Sequence, residues 1–253
     1  MQRQYLGMID WGIGGISIYK LIKERIGNIP VIYFSDTGVT PYGKMTREEL
    51  VARLNEVVAF LQSKGVTHLV IGCNAASTAL SLLDLKGIKT EGVIKSAIEM
   101  TSRQHPQKLA LIGGRRTVLS GIYREGFAAK GIRVSQRVAQ PLSALIERGD
   151  VSSGKVRAAC KQILGPVKNA SHLLLACTHY PAITPVLKEF VNEKTVILDP
   201  AAALVKKIAR WKIKSGGKDI FLTSGEPGKM KTAAMKAFGV KIGTAQKIKI
   251  GTR

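Results

Sequence analysis

The sequence is poor in cysteine, in long apolar runs and in acidic side chains. Only three cysteines occur among 253 residues, so they cannot all pair within one chain, and a reducing cytosol would keep them as thiols. No apolar run approaches the ~20 residues of a transmembrane helix. The opening MQRQYLGMIDWGIGG lacks the apolar segment and cleavage site of a signal peptide. We therefore expect a cytoplasmic protein without membrane contact, whose cysteines serve catalysis, metal binding or packing.

The shortage of acids leaves a strongly basic chain. Lys and Arg number 39 against 17 Asp and Glu, which gives a formal net charge of +22. Such a balance is typical of nucleic-acid binding. However, most basic residues are scattered singly, and no Lys/Arg block, aromatic RNA-binding motif or zinc-finger spacing occurs. We interpret the charge as a solvated basic surface. The part of the chain best suited to bind a polyanion is the last 49 residues, because they hold 13 Lys or Arg against two acids.

Strand-like and helix-like segments alternate along the chain. The short apolar runs YLGMID, VIYFSD, HLVIGC, KLALIGG and HLLLAC are typical of buried strands. Helical spacing follows in ISIYKLIKERIG and REELVARLNEVVAFLQSKG, and helices are predicted in AASTALSLLDLKG, LSGIYREGFAAKG, VRAACKQIL and PAITPVLKEFV. This alternation indicates right-handed βαβ units and parallel sheets covered by helices. No linker rich in Pro or Ser and no short tandem repeat interrupts it.

Two of the three cysteines end similar apolar runs. IGCNAAST places Cys73, and LACTHYP places Cys177, at the carboxyl end of a predicted parallel strand. Ligands of open α/β sheets bind at that edge. Two similar α/β lobes facing each other would set one thiol on each wall of a shared cleft. Cys160, in VRAACKQIL, fits plain core packing.

The residues beside these thiols suit ligand contact. Asn74 offers an amide, Thr178 a hydroxyl and His179 a titratable ring, and helix starts after the cysteines would favour thiolates. A Ser/Cys–His–Asp hydrolase fits the residue types, but no GxSxG elbow occurs. A zinc site or a redox dithiol would need a CxxC partner, which both cysteines lack. Two thiols on opposite sides of a carbon can instead remove and return a proton on opposite faces, which inverts a stereocentre.

Four ordered motifs resemble the cofactor-independent aspartate/glutamate racemase family, and glutamate racemases especially. IDWGIGGISI resembles the family's DSGxGGLSV, YFSDTGVTPYG its YxxDTxxxPYG, VIGCNAAS its VIACNTAS, and LLLACTHYP its LLGCTHYPL. Weaker matches lie in IGGRRTVLSGIY, PLSALIERGD and FLTSGEPGKMKTAAMKAFG. The resemblance covers nearly the whole chain. It implies two similar α/β lobes, each a parallel sheet flanked by helices, with the active site in the cleft between them. The first lobe would hold residues 1–97 plus 206–253, and the second residues 98–205.

The same resemblance implies a reaction and its residues. The reaction is interconversion of L- and D-glutamate without pyridoxal phosphate, metal or another cofactor, which supplies D-glutamate for bacterial cell-wall precursors. Cys73 and Cys177 match the catalytic cysteines, each acting on one enantiomer, and the assisting groups match Asp10, His179 and Glu147. Substrate-binding positions match Trp11, Pro41, Tyr42, Gly43, Asn74, Ala75 and Thr178. A small amino acid is the expected partner, and a homodimer is compatible with the sequence.

The chemistry of the α-carbon adds expectations for individual groups. Its proton is very weakly acidic, so the site must stabilise carbanion charge and exclude water. We expect a lowered pKa for a thiol near His179 or a helix start, and a carboxylate that keeps the partner thiol protonated. Turn geometry is the favoured interpretation of glycines 12, 14 and 15. Asp36 and Thr37 fit either a simple turn or the site.

The sequence departs from the family pattern near the expected substrate. Trp11 stands in place of a serine, while Ala75 and Gly114 stand in place of threonines. Three lost polar contacts at ~1 kcal/mol each would weaken glutamate binding about a hundredfold. An indole at position 11 would also shrink or reshape the pocket.

Further departures keep other functions open. Lys95 and Ser96 replace a usual Pro-Gly pair, and Arg115 and Arg116 are either new anion contacts or surface residues. One alternative is a racemase of another amino acid, such as aspartate. The other is a racemase-like binding protein without turnover, which associates with nucleic acid or an anionic surface through its basic end.

Overall fold

The computed structural model describes residues 4–214 and 216–251, which form ten strands and eleven α-helices. The strands are β1 (Tyr5–Asp10), β2 (Val31–Ser35), β3 (Val66–Ile71), β4 (Lys89–Gly92), β5 (Leu109–Gly113), β6 (Val134–Val138), β7 (His172–Ala176), β8 (Val196–Leu198), β9 (Ile220–Thr223) and β10 (Ala245–Lys247). The helices are α1 (Ile16–Arg25), α2 (Arg47–Ser63), α3 (Asn74–Ser77), α4 (Val93–Ser102), α5 (Arg115–Leu119), α6 (Ile122–Ala128), α7 (Gln140–Glu147), α8 (Gly154–Leu164), α9 (Thr184–Lys188), α10 (Ala201–Ala209) and α11 (Pro227–Phe238). None of the helices in these ranges is long and apolar enough to span a membrane.

The strands form two parallel sheets. The first has the order β10-β9-β2-β1-β3-β4, and the second has the order β6-β5-β7-β8. The central strands β1 and β5 are buried along their whole length, as expected for parallel strands covered by helices on both faces. After completing the second sheet, the chain returns to the first with β9 and β10. The predicted fold class, two α/β lobes with flanking helices, is confirmed.

One apolar cluster joins the two sheets. It contains Met8 of β1, Leu111 of β5, Ala97 of α4 and Leu204 of α10, while separate clusters fill the outer layer of each lobe. The predicted lobe boundaries at 97/98 and 205/206 therefore fall inside the two helices that pack between the lobes. These boundaries stay a prediction, and positions 1–3, 215 and 252–253 of the predicted first lobe lie outside the described residues.

Three helix predictions were wrong in extent. In AASTALSLLDLKG, α3 ends at Ser77 and a separate 3-10 turn covers residues 80–82. The Thr78 hydroxyl donates to the Ala75 carbonyl at 2.7 Å, and such local side-chain bonds compete with the helix ladder. In LSGIYREGFAAKG, α6 begins only at Ile122 because Gly121 takes a left-handed φ of 76°. In PAITPVLKEFV, a 3-10 turn precedes α9.

The carboxyl ends of the central strands bring both cysteines to the cleft. Asp10 ends β1, and Cys73 follows two residues after the neighbouring β3. In the second sheet, Gly113 of β5 lies opposite Ala176 of β7, so Cys177 follows directly at the same edge.

A buried ion pair anchors the segment after β2. Asp36 is fully buried, and its carboxylate accepts hydrogen bonds from Arg53 Nη2 at 2.7 Å and Nε at 2.8 Å. The hydroxyls of Tyr42 and Ser224 each donate to the same carboxylate at 2.7 Å. Asp36 is therefore an anchor rather than a simple turn residue. Because Tyr42 belongs to the loop that reaches the cleft, this network fixes one end of that loop.

Replacing Arg53 tests this anchor. Arg53→Met should lower the free energy of unfolding by about 3–5 kcal/mol, because it leaves the Asp36 carboxylate buried without its counter-charge. Urea unfolding followed by circular dichroism measures the loss. Arg157→Met is the matched control: its partner Glu189 is exposed, and loss of an exposed pair should cost less than about 1 kcal/mol. Equal losses in the two variants would contradict the anchor.

Candidate active site

A cavity of about 480 Å³ opens between the carboxyl edges of the two sheets, within the range of roughly 300–1,000 Å³ typical of small-molecule sites. All twelve predicted site residues line it: Asp10, Trp11, Pro41, Tyr42, Gly43, Cys73, Asn74, Ala75, Glu147, Cys177, Thr178 and His179. Both lobes contribute to its wall, and each lobe supplies one of the two thiols.

The wall also contains polar residues that the sequence reasoning missed, namely Lys44, Gln140, Ser143 and Arg148. Gln140, Ser143 and Glu147 lie on α7, within or next to the PLSALIERGD motif. That motif was a detectable signal, but only Glu147 was singled out from it. In the described part of the chain, no three His, Cys, Asp or Glu side chains are grouped so that they could hold a metal ion.

The first thiol, Cys73, lies in a buried setting beside a carboxylate. Burial raises its pKa well above the ordinary value, and the negative charge of Asp10 raises it further. The backbone amides of Ala76 and Trp11 act in the opposite direction but do not compensate. The start of α3 thus lowers this pKa as expected, but by less than burial raises it. Cys73 therefore keeps its proton at neutral pH.

The second thiol, Cys177, lies beside a hydrogen-bonded histidine and glutamate. His179 Nδ1 lies 3.6 Å from Cys177 Sγ, and His179 Nε2 lies 2.6 Å from Glu147 Oε2. Burial lowers the pKa of His179, but its hydrogen bonds with Cys177 and Glu147 outweigh burial and leave the pKa well above its usual value. The ring is thus an imidazolium at neutral pH, and it places a positive charge next to the sulfur of Cys177.

Asp10 connects the two halves of the site. It is fully buried, and its Oδ2 accepts a hydrogen bond from Thr178 Oγ1 at 2.9 Å across the cleft. Burial raises the pKa of Asp10, although the positive His179 and the Thr178 hydrogen bond act against this rise. The hydroxyl proton of Thr178 is therefore used by Asp10, and Thr178 can offer a ligand only its oxygen lone pair.

Close approach of the two lobes explains the glycines after β1. A Cβ atom on Gly12 would lie 2.0 Å from Glu147 Oε2, and one on Gly14 would lie 2.4 Å from Thr178 Oγ1. Gly14 and Gly15 form the turn before α1 as predicted, and none of the three glycines lines the cavity. None of them has a positive φ, so the close approach of the lobes is what requires glycine at positions 12 and 14. The bare backbone lets the Ile13 amide donate to Glu147 Oε2 at 2.9 Å.

Asn74 has an amide group with a free donor. Its Oδ1 accepts a hydrogen bond from Tyr123 of α6 at 2.7 Å, whereas its buried Nδ2 has no partner among the described residues. An unpaired buried donor is costly unless a ligand completes it. Since Asn74 lines the cavity, its NH₂ group is suited to a carboxylate there. Tyr123 was not singled out from the sequence, although it belongs to the quoted IGGRRTVLSGIY motif.

Trp11 shapes the cavity without filling it. Its indole Nε1 donates to the Val39 carbonyl at 3.2 Å, which holds the ring against the wall of its own lobe. Ala75 and Gly114 also line the cavity and bring no polar side-chain atom. The polar side chains of Lys44, Gln140, Ser143 and Arg148 belong to other parts of the same wall.

Comparison with known proteins identifies the family. A family model described as Asp/Glu/hydantoin racemase matches residues 6–208. The chain belongs to this family. Among curated relatives, it is 31% identical to glutamate racemase 1 of Caldanaerobacter subterraneus subsp. tengcongensis over 87% of either chain. It is 30% identical to glutamate racemase of Bacillus cereus over 94% of either chain. Family membership supports a racemase and does not favour a protein that only binds.

Solved structures of racemases share the fold. The glutamate racemase of Francisella tularensis, solved in complex with D-glutamate, superposes with a TM-score of 0.89 at 23% identity, covering 99% of each chain. The glutamate racemase of Aquifex pyrophilus superposes with a TM-score of 0.80 at 25% identity, covering 96% of this chain and 98% of its own.

Replacing Asp10 tests how its raised pKa affects the stability of the folded state. An acid whose pKa is raised by burial destabilises the folded state above its unfolded pKa, and this penalty is absent in more acidic solution. Asp10→Asn should therefore have a higher Tm than the parent chain near pH 7, and the difference should shrink as the pH falls toward 4. Calorimetry across this pH range measures it. A Tm difference that stays constant with pH would contradict the raised pKa.

Proposed function

We propose that this chain interconverts L- and D-glutamate by proton transfer between two thiols, without a cofactor. The single observation that carries the proposal is the placement of Cys73 and Cys177, from different lobes, on the wall of one cavity. The choice of glutamate rests on curated relatives named glutamate racemases, which match at 30–31% identity along most of this chain.

The charges of the cavity suit an amino acid with two carboxylates. Lys44 and Arg148 contribute positive charges to its wall, and the unpaired amide of Asn74 offers a donor to a carboxylate. Asp10 and Glu147 supply negative charge for the α-ammonium group. These groups offset the hydroxyls that Trp11, Ala75 and Gly114 do not provide.

The two thiols have different roles in one direction of the reaction. Cys177, whose Sγ lies 3.6 Å from His179 Nδ1, acts as the base, and Cys73, buried beside Asp10, keeps its proton and acts as the acid. Cys177 removes the α-proton of the enantiomer that presents it to that wall. The resulting carbanion takes a proton from Cys73 on the opposite face, which yields the other enantiomer. One C–H bond breaks and one forms, and the two sulfurs exchange protonation states.

The reverse direction uses the same groups in opposite roles. A thiolate on Cys73 is disfavoured by burial and by Asp10, so once formed it is a strong base toward the α-proton. Cys177 then supplies the proton, with His179 and Glu147 holding its sulfur in place. The asymmetry of the two environments makes each thiol suited to one enantiomer.

The proposal also covers the use of the product, the assembly of the chain and a second candidate substrate. D-glutamate made in this way would supply bacterial cell-wall precursors, as the family resemblance implies. A homodimer stays a prediction. Aspartate is the second candidate substrate, since the family description includes aspartate, but the curated relatives favour glutamate.

Replacing each thiol tests the two-thiol mechanism. Incubation of the parent chain with L-glutamate in deuterated water should yield D-glutamate with deuterium at the α-carbon, and aspartate should react much more slowly. Cys73→Ser and Cys177→Ser should each lower kcat by at least about a hundredfold, because each loses a positioned acid or base. Cys160→Ala removes the third, core thiol and should keep the activity. Full turnover in either serine variant would reject the mechanism.

Replacing Glu147 tests the charge on His179. Glu147→Gln removes the negative partner that raises the His179 pKa, so the imidazolium should lose its proton at lower pH. The alkaline limb of the kcat/KM profile is expected to move toward lower pH. Glu189→Gln removes an exposed carboxylate paired with Arg157 and should leave the profile unchanged. A profile that Glu147→Gln does not move would contradict this role.

A further inference from the structure

Arg116 crosses from the second lobe to the first. It lies on α5, and its Nε donates to the Tyr42 carbonyl at 3.1 Å. The same guanidinium also donates through Nη2 to the carbonyl of Met45. The two acceptors are backbone atoms of one loop, residues 41–45, which we call the cleft loop. Arg116, which the sequence left as an anion contact or a surface residue, therefore bonds with the backbone of the opposite lobe.

The cleft loop is a wall of the substrate cavity. Four of its residues, Pro41, Tyr42, Gly43 and Lys44, line the cavity, and a turn bond from the Lys44 amide to the Pro41 carbonyl at 2.7 Å shapes it. The Tyr42 hydroxyl ties the loop to Asp36 in its own lobe. The Arg116 contacts tie it to the opposite lobe.

A second cavity of about 520 Å³ lies on the far side of the cleft loop, lined by Lys44, Arg47, Arg115 and Arg116 among others. Gly43 and Lys44 line both cavities, whereas Tyr42 belongs to the core of its lobe and Met45 packs against that core. The segment between the two cavities therefore depends on hydrogen bonds at its two ends for its position.

The second lobe meets the cleft loop closely at one more place. A Cβ atom on Gly43 would lie 3.2 Å from Gln140 Oε1, and that oxygen accepts a hydrogen bond from the Arg115 amide at 3.1 Å. Only the backbone of Arg115 takes part in this contact. The start of α5 and the start of α7 thus form one surface against which the loop rests, and Arg116 is the side chain that fastens it there.

We propose that Arg116 is a positioning residue that fastens the cleft loop to the second lobe and so sets the closed form of the substrate cavity. A planar guanidinium suits this role because its fork donates to two carbonyls at once, whereas an ammonium is a single point of charge. The expected effect on substrate affinity rests on the proposed function, but the effect on the loop does not.

The test compares Arg116→Ala, Arg116→Lys and Arg115→Ala. Arg115→Ala is the matched control, because it removes the same charge from the same helix and cavity without removing a bond to the loop. Hydrogen–deuterium exchange of the amides at residues 43–45 reports the loop directly. Steady-state racemisation of both glutamate enantiomers reports KM and kcat separately.

We expect faster exchange at residues 43–45 in Arg116→Ala, with Arg115→Ala like the parent chain. KM should rise roughly tenfold in Arg116→Ala with a smaller change in kcat, as loss of two charge-assisted bonds to the binding wall predicts. Arg116→Lys should lie between Arg116→Ala and the parent chain.

Two results would overturn the proposal. One is unchanged exchange at residues 43–45 in Arg116→Ala, and the other is an equal rise in KM in Arg116→Ala and Arg115→Ala, which would assign the effect to charge alone. A parent chain that does not racemise glutamate would contradict the proposed function instead, and the exchange measurement would still decide whether Arg116 fastens the loop.

Discussion

The structure depends on a close approach, across the cleft, of the backbone of the first lobe to side chains of the second lobe. The glycine-rich segment after β1 comes so near to the second lobe that a Cβ on Gly12 or Gly14 would collide with Glu147 or Thr178. This approach allows the Thr178–Asp10 and Ile13–Glu147 hydrogen bonds. It thereby brings the acid beside the first thiol and the histidine–glutamate pair beside the second thiol into one site. Without it, each lobe would present half of a catalytic apparatus.

The two halves of the site resemble each other in sequence but differ in physical setting. Cys73 and Cys177 both follow a buried parallel strand, yet one sits in a buried setting beside a carboxylate and the other beside an imidazolium. Burial alone favours the neutral thiol. His179 places a positive partner beside the thiol only on the second wall. Two identical side chains therefore lie in opposite electrostatic surroundings.

The remaining wall is held by contacts from outside the cavity. The cleft loop is fixed at Tyr42 by the buried Asp36 network and is crossed by Arg116 from the other lobe. Neither Asp36 nor Arg116 lines the substrate cavity, so both hold the loop without occupying the space open to a substrate. The helices α4 and α10, packed in the cluster shared by both sheets, give the lobes a common core.

Local sequence determined the five buried strands β1, β2, β3, β5 and β7, their alternation with helices, and the position of both cysteines at strand ends, because these follow from apolar periodicity. The shorter or more exposed strands β4, β6, β8, β9 and β10 were not predicted, because they lack such an apolar run. The quoted motifs also identified twelve of the residues that line the cavity. Helix lengths near Ser77 and Gly121 were predicted less well, because a hydroxyl bond and a left-handed glycine override helical spacing.

Only the tertiary structure decided which groups meet. The contributions of Lys44, Gln140, Ser143 and Arg148 to the wall, the bond of Tyr123 to Asn74 and the reach of Arg116 across the cleft join segments far apart in the chain. The raised pKa of Cys73 likewise depends on burial and on the charge of Asp10, which comes from a distant segment. A local sequence pattern does not contain these distances. The distances arise only when the two sheets pack against each other.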